Sequence, residues 1–175
     1  IQSQEGFIKN YPWLYFTDYQ ENSPGLHFLF PLLLIPFAIV FPSGLAYVLS
    51  SAFFMALLAC VLWIILRKMK VGFEWLWLVL ALAGSQDFIF RHSLGRPITA
   101  SLIIIFGIIY AVKYRLWWLC FILAFLNVWL YDGYLISLVL VVLYGLAISI
   151  VEKKLFWKEI AAVLGGFVIG NIINP

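Results

Sequence analysis

The sequence predicts an all-α fold, a polytopic transmembrane helix bundle preceded by an amino-terminal extracytoplasmic loop. Hydrophobic residues make up 65% of the 175 residues and charged residues only 11%. That composition is too apolar for a water-soluble domain, whose exterior must be largely polar. Apolar runs of helical length also alternate with short polar turns, and a helix satisfies its own backbone hydrogen bonds within lipid. The surroundings predicted for the chain are therefore a lipid bilayer.

Residues 1–44 are predicted to form an extracytoplasmic or interfacial loop that contains a broken helix. Residues 1–25 interleave charged side chains with Tyr and Trp rings, which favour the headgroup zone of a bilayer. Residues 26–41 are apolar but include Pro31 and Pro36, and an interior proline removes a helical hydrogen bond. We expect a proline-broken interfacial or re-entrant helix here, with a kinked full span as the alternative. Because the sequence starts at Ile1 without a methionine, we interpret it as a fragment.

Residues 45–175 are predicted to form the transmembrane helical bundle. The predicted spans are 45–66, 73–90, 98–112, 116–131, 134–151 and 160–174. Alternate turns between them, at 67–70, 113–115 and 152–158, carry clustered Lys and Arg residues. The positive-inside rule makes these turns cytoplasmic and the protein a multi-pass integral membrane protein. Basic clusters of this kind are topology signals, so no nucleic-acid partner is expected despite the net charge of +3.

The polar segment 85–97 separates two of the apolar spans and carries Asp87, Arg91, His92 and Arg96. The alternation of turns predicts that this segment faces the extracytoplasmic side. Positive charge on that side runs against the topology rule, so Arg91 and Arg96 indicate an anionic partner. The planar fork of arginine suits phosphate.

Further polar residues are predicted at the same face. Asp132 lies in the turn after 116–131, and a re-entrant segment 26–41 would add the amino-terminal loop with Asp18, Glu21 and His27. Simpler interpretations stay open for several of these residues. The arginines can snorkel to the interface, His92 can make an ordinary hydrogen bond, and Asp132 can form the turn with Gly133.

The runs FTDYQENSPGLHFLFPLLLIPF and FRHSLGRPITASLIIIFGIIYAVKYR, separated by a span, a basic turn and a second span, resemble the GT-C superfamily of membrane glycosyltransferases. This superfamily includes oligosaccharyltransferase catalytic subunits and lipid-A aminoarabinose transferases. The resemblance covers nearly the whole chain in layout and is carried by the entry to the first external loop, ENSPGLH, and by RPIT in the second. Ile98 follows Arg96-Pro97 where an acidic residue is usual in the family, and Asp87 is the nearby carboxylate.

The resemblance implies sugar transfer from a polyprenyl-phosphate-linked donor to an acceptor on the extracytoplasmic face. It implies catalytic roles for Asp18 and Glu21, as general base or as ligands of a divalent metal ion if the reaction uses one. It implies substrate binding by His27, Arg91, His92, Arg96 and Asp132, with the two arginines holding the donor phosphate.

Two other classes of function are compatible with the sequence. The first is a noncatalytic membrane subunit or scaffold, in which Gly166 and Gly170 have the small-xxx-small spacing that brings a partner helix close. Its interhelical hydrogen bonds would come from Ser50, Ser51, Asn127 and Ser137. The second is a small-solute transporter, although the predicted spans lack the charges at the membrane midplane that an ion pathway needs. The enzyme instead needs its polar residues at one face.

Overall fold

The computed structural model describes residues 28–93, 95–131 and 133–173, and the regular structure of these residues is entirely helical. The helices of this part of the chain are α1 (Leu29–Val40), α2 (Ser43–Lys68), α3 (Glu74–Ala83), α4 (Gln86–Ser93), α5 (Pro97–Lys113), α6 (Trp117–Leu130), α7 (Tyr134–Glu152) and α8 (Trp157–Ile173). The all-α prediction is confirmed for the described residues. The predicted amino-terminal loop, residues 1–27, lies outside them.

Two helices, α2 and α7, are long and apolar enough to cross a membrane, judged by length and composition. A third span results if α4 and α5, which are bent by 106° at the break between them, count as one. The apolar helices α1, α3 and α6 are shorter. At 1.5 Å per residue, α6 rises about 21 Å, less than the roughly 30 Å of a hydrocarbon core.

The segment predicted as one span at 73–90 does not form one helix, because these residues form α3 and α4 with a break at Gly84 and Ser85. The Gly84 N–H donates to the Leu80 carbonyl at 2.9 Å and ends α3. The Phe88 N–H donates to Ser85 Oγ at 3.4 Å, which caps the start of α4. A helix-ending glycine followed by a capping serine is a recognisable stop and start signal.

The segment with Pro31 and Pro36 forms one continuous helix, so the expected interruption at the prolines is absent from α1. Pro31 is the third residue of α1, where the backbone N–H has no intrahelical partner in any case. Pro36 lies inside the helix and costs one hydrogen bond. The chain breaks after Val40 instead, ahead of Pro42. Helix α1 rises about 18 Å, and its interfacial or re-entrant placement stays a prediction.

The three basic turns lie at one end of the helix bundle, which we call the basic end. The Tyr114 hydroxyl donates to the Lys68 carbonyl at 3.1 Å, joining turns 67–70 and 113–115. Lys113 Nζ lies 2.5 Å from Glu152 Oε1 and joins the second turn to turn 152–158. The positive-inside pattern requires the three basic turns to lie on the same side of the membrane, and their adjacency is compatible with that requirement.

The tightest helix contact joins α6 and α8, which run parallel. Their first residues, Trp117 and Trp157, line one groove, and Trp129 Nε1 near the end of α6 donates to the Gly170 carbonyl at 3.1 Å. Gly166 and Gly170 are buried in this contact. The helix that packs on their small-xxx-small surface is thus α6 of the same chain.

The interior between α5, α6, α7 and α8 contains both small and large apolar side chains, and many further large apolar side chains lie outside. Ala111, Cys120 and Ala124 are fully buried. Ile150 and Val151 are 77% and 79% exposed. An exterior this apolar is unfavourable in water and is compatible with lipid.

Candidate functional site

The turn between α4 and α5 is held by a buried hydrogen bond between the two helices. His92, near the end of α4, is only 4% exposed. Its Nδ1 lies 2.9 Å from Thr99 Oγ1 in the first turn of α5, and the tautomer decides which atom donates. The Phe88 ring packs on the imidazole with 4.1 Å between ring centroids. This pair fixes the two helices across their 106° bend.

A second hydrogen bond attaches the same turn to α2. The Gly95 N–H donates to Ser51 Oγ at 2.9 Å, and the Ser51 hydroxyl donates to the Tyr47 carbonyl at 2.9 Å. A Cβ atom at Gly95 would lie 2.6 Å from Tyr47 Cε2, so the close approach requires either glycine or displacement of the Tyr47 ring. The backbone of the turn is therefore held by α2 as well as by α5.

Arg91 and Arg96 stand on either side of this turn, and both are exposed. Arg96 precedes α5 with extended backbone, φ −103° and ψ 153°, and Pro97 begins the helix in a position that suits proline. Neither arginine has an ion-pair partner within the described residues.

The arginine turn and the basic end are far apart along α2. Ser51 contacts the turn, and Lys68 lies at the basic end. At 1.5 Å per residue the helix rises about 26 Å between them. This separation is close to the thickness of a hydrocarbon core. The distance is therefore compatible with the arginine turn and the basic end lying at opposite faces of a membrane.

Three of the predicted site residues flank the same turn, with Arg91 and His92 in the last turn of α4 and Arg96 directly before α5; their action as one site stays a prediction. His92 makes the buried hydrogen bond that was the simpler alternative, and direct contact of His92 with a substrate stays a prediction. The other predicted site residues, Asp18, Glu21, His27 and Asp132, lie outside the described residues. Their position relative to the arginines stays a prediction too.

The described residues contain no group of three or more His, Cys, Asp or Glu side chains placed to hold a metal ion. Asp87, exposed one helical turn before Arg91, is the carboxylate nearest to the arginines in sequence. A divalent metal ion held by Asp18 or Glu21, both outside the described residues, stays a prediction.

Sequence reasoning missed the groups that hold the turn, Ser51, Gly95 and Thr99. Ser51 was expected to hydrogen-bond between helices; instead it accepts from the backbone of the turn at Gly95 and donates within its own helix to Tyr47. Deeper in the bundle, Ser101 Oγ donates to Asn127 Oδ1 at 2.8 Å, between helices as expected of Asn127. The buried Nδ2 of Asn127 has no partner.

The fold and the site define a helical protein with two to three helices able to cross a membrane and an arginine-flanked turn at one end. Comparisons with models of protein families, with curated proteins and with solved structures find no match. The functional assignment therefore depends on the residues of this chain.

Proposed function

We propose that this chain is a multi-pass membrane glycosyltransferase of the GT-C type, or the part of one that holds its donor. It moves a sugar from a polyprenyl-phosphate-linked donor to an acceptor on the extracytoplasmic face. The observation that carries the proposal is the pair of exposed arginines, Arg91 and Arg96, on a turn fixed by two buried or half-buried hydrogen bonds. The class of donor comes from the sequence resemblance.

The proposed topology puts the basic end in the cytoplasm and the arginine turn at the opposite face. The meeting of the three basic turns at one end supports it, because clustered Lys and Arg residues are retained on the cytoplasmic side. In this orientation the arginines lie at the lipid–water boundary, where the phosphate of a lipid-linked donor also lies.

Arg91 and Arg96 have the chemistry to bind that phosphate. Each guanidinium donates charge-assisted hydrogen bonds to phosphate oxygens, and these bonds are about twice as strong as neutral ones. When the sugar–phosphate bond breaks, its electron pair leaves on the phosphate oxygen, and the two cations stabilise the charge that develops there.

A carboxylate completes the proposed reaction by accepting the proton of the acceptor hydroxyl or amide as the new glycosidic bond forms. The resemblance assigns this role to Asp18 or Glu21. Asp87 is the alternative within the described residues, since it lies on α4 one turn before Arg91. His27 and Asp132 are proposed to contact the substrate.

The test is sugar transfer from a polyprenyl-phosphate donor by the full-length protein in liposomes. Arg96→Gln should lose about 2 to 3 kcal/mol of transition-state stabilisation, a rate loss of roughly thirty-fold to more than a hundred-fold. Arg96→Lys keeps the charge without the planar fork and should recover only part of the rate.

Arg67→Gln is the matched control, because Arg67 is an exposed arginine at the basic end, stacked on Trp63 at 5.3 Å. It should transfer sugar at the wild-type rate. Wild-type transfer by Arg96→Gln, with normal expression and insertion, would reject the phosphate role and favour snorkelling.

A noncatalytic membrane subunit or scaffold is the second function we propose to test. The observation that favours it is the buried hydrogen bond from Ser101 Oγ to Asn127 Oδ1, which joins α5 to α6. On the outside of the bundle, the Tyr134 hydroxyl donates to Asn171 Oδ1 at 2.7 Å and joins α7 to α8. A full-length protein that transfers no sugar from any tested donor would support this function over the enzyme.

A further inference from the structure

A groove runs between α6 and α8 at the basic end, on the side away from the proposed sugar-transfer site. It has a volume of about 440 Å³ and is lined by Trp117, Phe121, Trp157, Lys158, Ala161 and Ala162. Five of these six side chains are apolar or aromatic, and one is a cation. Both helices begin at this end of the groove.

The groove is open to the outside of the bundle. The Trp117 and Trp157 rings at its entrance are each 57% exposed, and Ala161 on its wall is exposed as well. Tryptophan rings favour the level of the lipid headgroups. A cleft of this kind in a lipid-embedded surface admits a hydrocarbon chain from the bilayer.

Two cations lie at the starts of α6 and α8, and one of them lines the groove. Lys158 lines the groove, with Nζ 5.8 Å from the centre of the Trp157 ring. Arg115, two residues before α6, lies over the ring of Phe156 at 4.4 Å. Both side chains are exposed and have no ion-pair partner within the described residues.

Two acids lie near these cations, and neither of them lines the groove. Glu152 is paired with Lys113 and also interacts electrostatically with Arg115. Glu159 is 5% exposed and follows Lys158 in the first turn of α8. The charged side chain in the groove lining is therefore a cation, Lys158.

The starts of the two helices add to this charge. α6 has no side-chain cap, and the Leu119 and Cys120 N–H groups donate to the Leu116 carbonyl, so the donors left are the N–H groups of its first two residues. The dipoles of parallel helices reinforce one another where both begin. Together with the cations, they favour a phosphate group at the mouth of the groove.

We propose that this groove binds one anionic phospholipid. Its acyl chain lies between α6 and α8, and its phosphate lies against Lys158 and Arg115. A free anion would leave the apolar groove unfilled, and a second copy of this chain would bring two basic ends together. Basic pockets between helices are known to suit anionic lipid headgroups. The proposal is independent of sugar transfer.

The experiment measures lipid retention by the purified full chain in neutral detergent, using native mass spectrometry after titration with phosphatidylglycerol or phosphatidylcholine. The wild type should retain one phosphatidylglycerol in preference to phosphatidylcholine. Lys158→Gln should weaken this retention about fivefold, which corresponds to about 1 kcal/mol per cation near an anionic surface. Ala161→Trp fills the groove and should abolish retention.

Two matched variants separate the groove from the general surface. Lys154→Gln removes an exposed cation from the same basic turn without touching the groove. Val168→Trp adds the same bulk two turns further along the same face of α8, outside the groove. Both should retain phosphatidylglycerol like the wild type.

Several results would overturn the proposal. Equal losses in Lys158→Gln and Lys154→Gln would mean diffuse attraction to the basic end, and equal retention of the two lipids would mean a neutral occupant. If inorganic phosphate is retained as well as phosphatidylglycerol is, the occupant is a free anion. If the chain self-associates in a way that the groove variants abolish, the occupant is a second copy of the chain. If Ala161→Trp does not fold, the two lysine variants alone decide.

Discussion

Two adjacent glycines in α8 test the packing of the bundle, because a methyl group would meet different surroundings at each. A Cβ at Gly166 would lie 2.4 Å from the Phe121 carbonyl oxygen and 2.9 Å from Ala124 Cβ. A Cβ at Gly165 would have its nearest neighbours in the Phe121 ring at 3.7 Å, an ordinary contact. The alanine substitutions should therefore have opposite effects on stability.

Alanine improves the intrinsic helix propensity of either position by roughly 0.5 to 1 kcal/mol relative to glycine. Gly165→Ala should leave the free energy of unfolding unchanged or raise it by up to that amount. Overpacking a close contact costs about 1 to 3 kcal/mol, and the Phe121 carbonyl cannot move unless α6 moves. Gly166→Ala should therefore lower the free energy of unfolding by about 1 to 2 kcal/mol.

The measurement is reversible unfolding of the full chain in mixed micelles, followed by circular dichroism as the denaturing detergent is increased. Ala124→Gly removes the 2.9 Å contact but leaves the contact with the Phe121 carbonyl, and glycine is itself the poorer helix former. The double variant should therefore lose less stability than the sum of the losses in the two single variants. If Gly166→Ala is as stable as Gly165→Ala, α6 and α8 do not pack as described.

Two further predictions concern the interior and the topology. Ser101→Ala leaves Asn127 Oδ1 without its buried donor and should lower the free energy of unfolding, whereas adding Asn127→Leu should recover the loss. The expected coupling between the two sites is about 0.6 kcal/mol, as for other interhelical hydrogen bonds in membranes. Additive losses in the double-mutant cycle would exclude this hydrogen bond. In a chain with both native cysteines replaced, an impermeant thiol reagent added outside intact cells should label Gln86→Cys and not Lys153→Cys, and the reverse pattern would invert the proposed topology.

The longest apolar helices could be predicted closely from the sequence. The span predicted at 45–66 is α2, Ser43–Lys68, and the span predicted at 134–151 is α7, Tyr134–Glu152. Each is an unbroken apolar run that ends at charged residues, so hydropathy and charge give the same boundary. At Gly84 and Ser85 the capping residues indicate a helix break, whereas the hydropathy of the segment indicates one continuous helix. The prediction followed hydropathy and so missed the break between α3 and α4.

The attachment of the arginine turn could not be predicted in the same way. Ser51 and Gly95 are 44 residues apart in sequence, and neither residue type indicates a specific partner. Their hydrogen bond depends on how α2 lies beside the α4–α5 bend, which is a matter of tertiary packing. The clustering of Arg91, His92 and Arg96 was predictable because one short turn contains all three.

The anchoring of this turn separates the two interpretations of its arginines. Snorkelling requires only a long flexible side chain near an interface, and it gains nothing from a fixed backbone. Binding a phosphate through planar guanidinium groups benefits from backbone positions that are set before the ligand arrives, since less entropy is then lost on binding. The His92–Thr99 and Gly95–Ser51 bonds set those positions from two different helices. Their presence favours a bound anion between Arg91 and Arg96 over mere contact with the membrane surface.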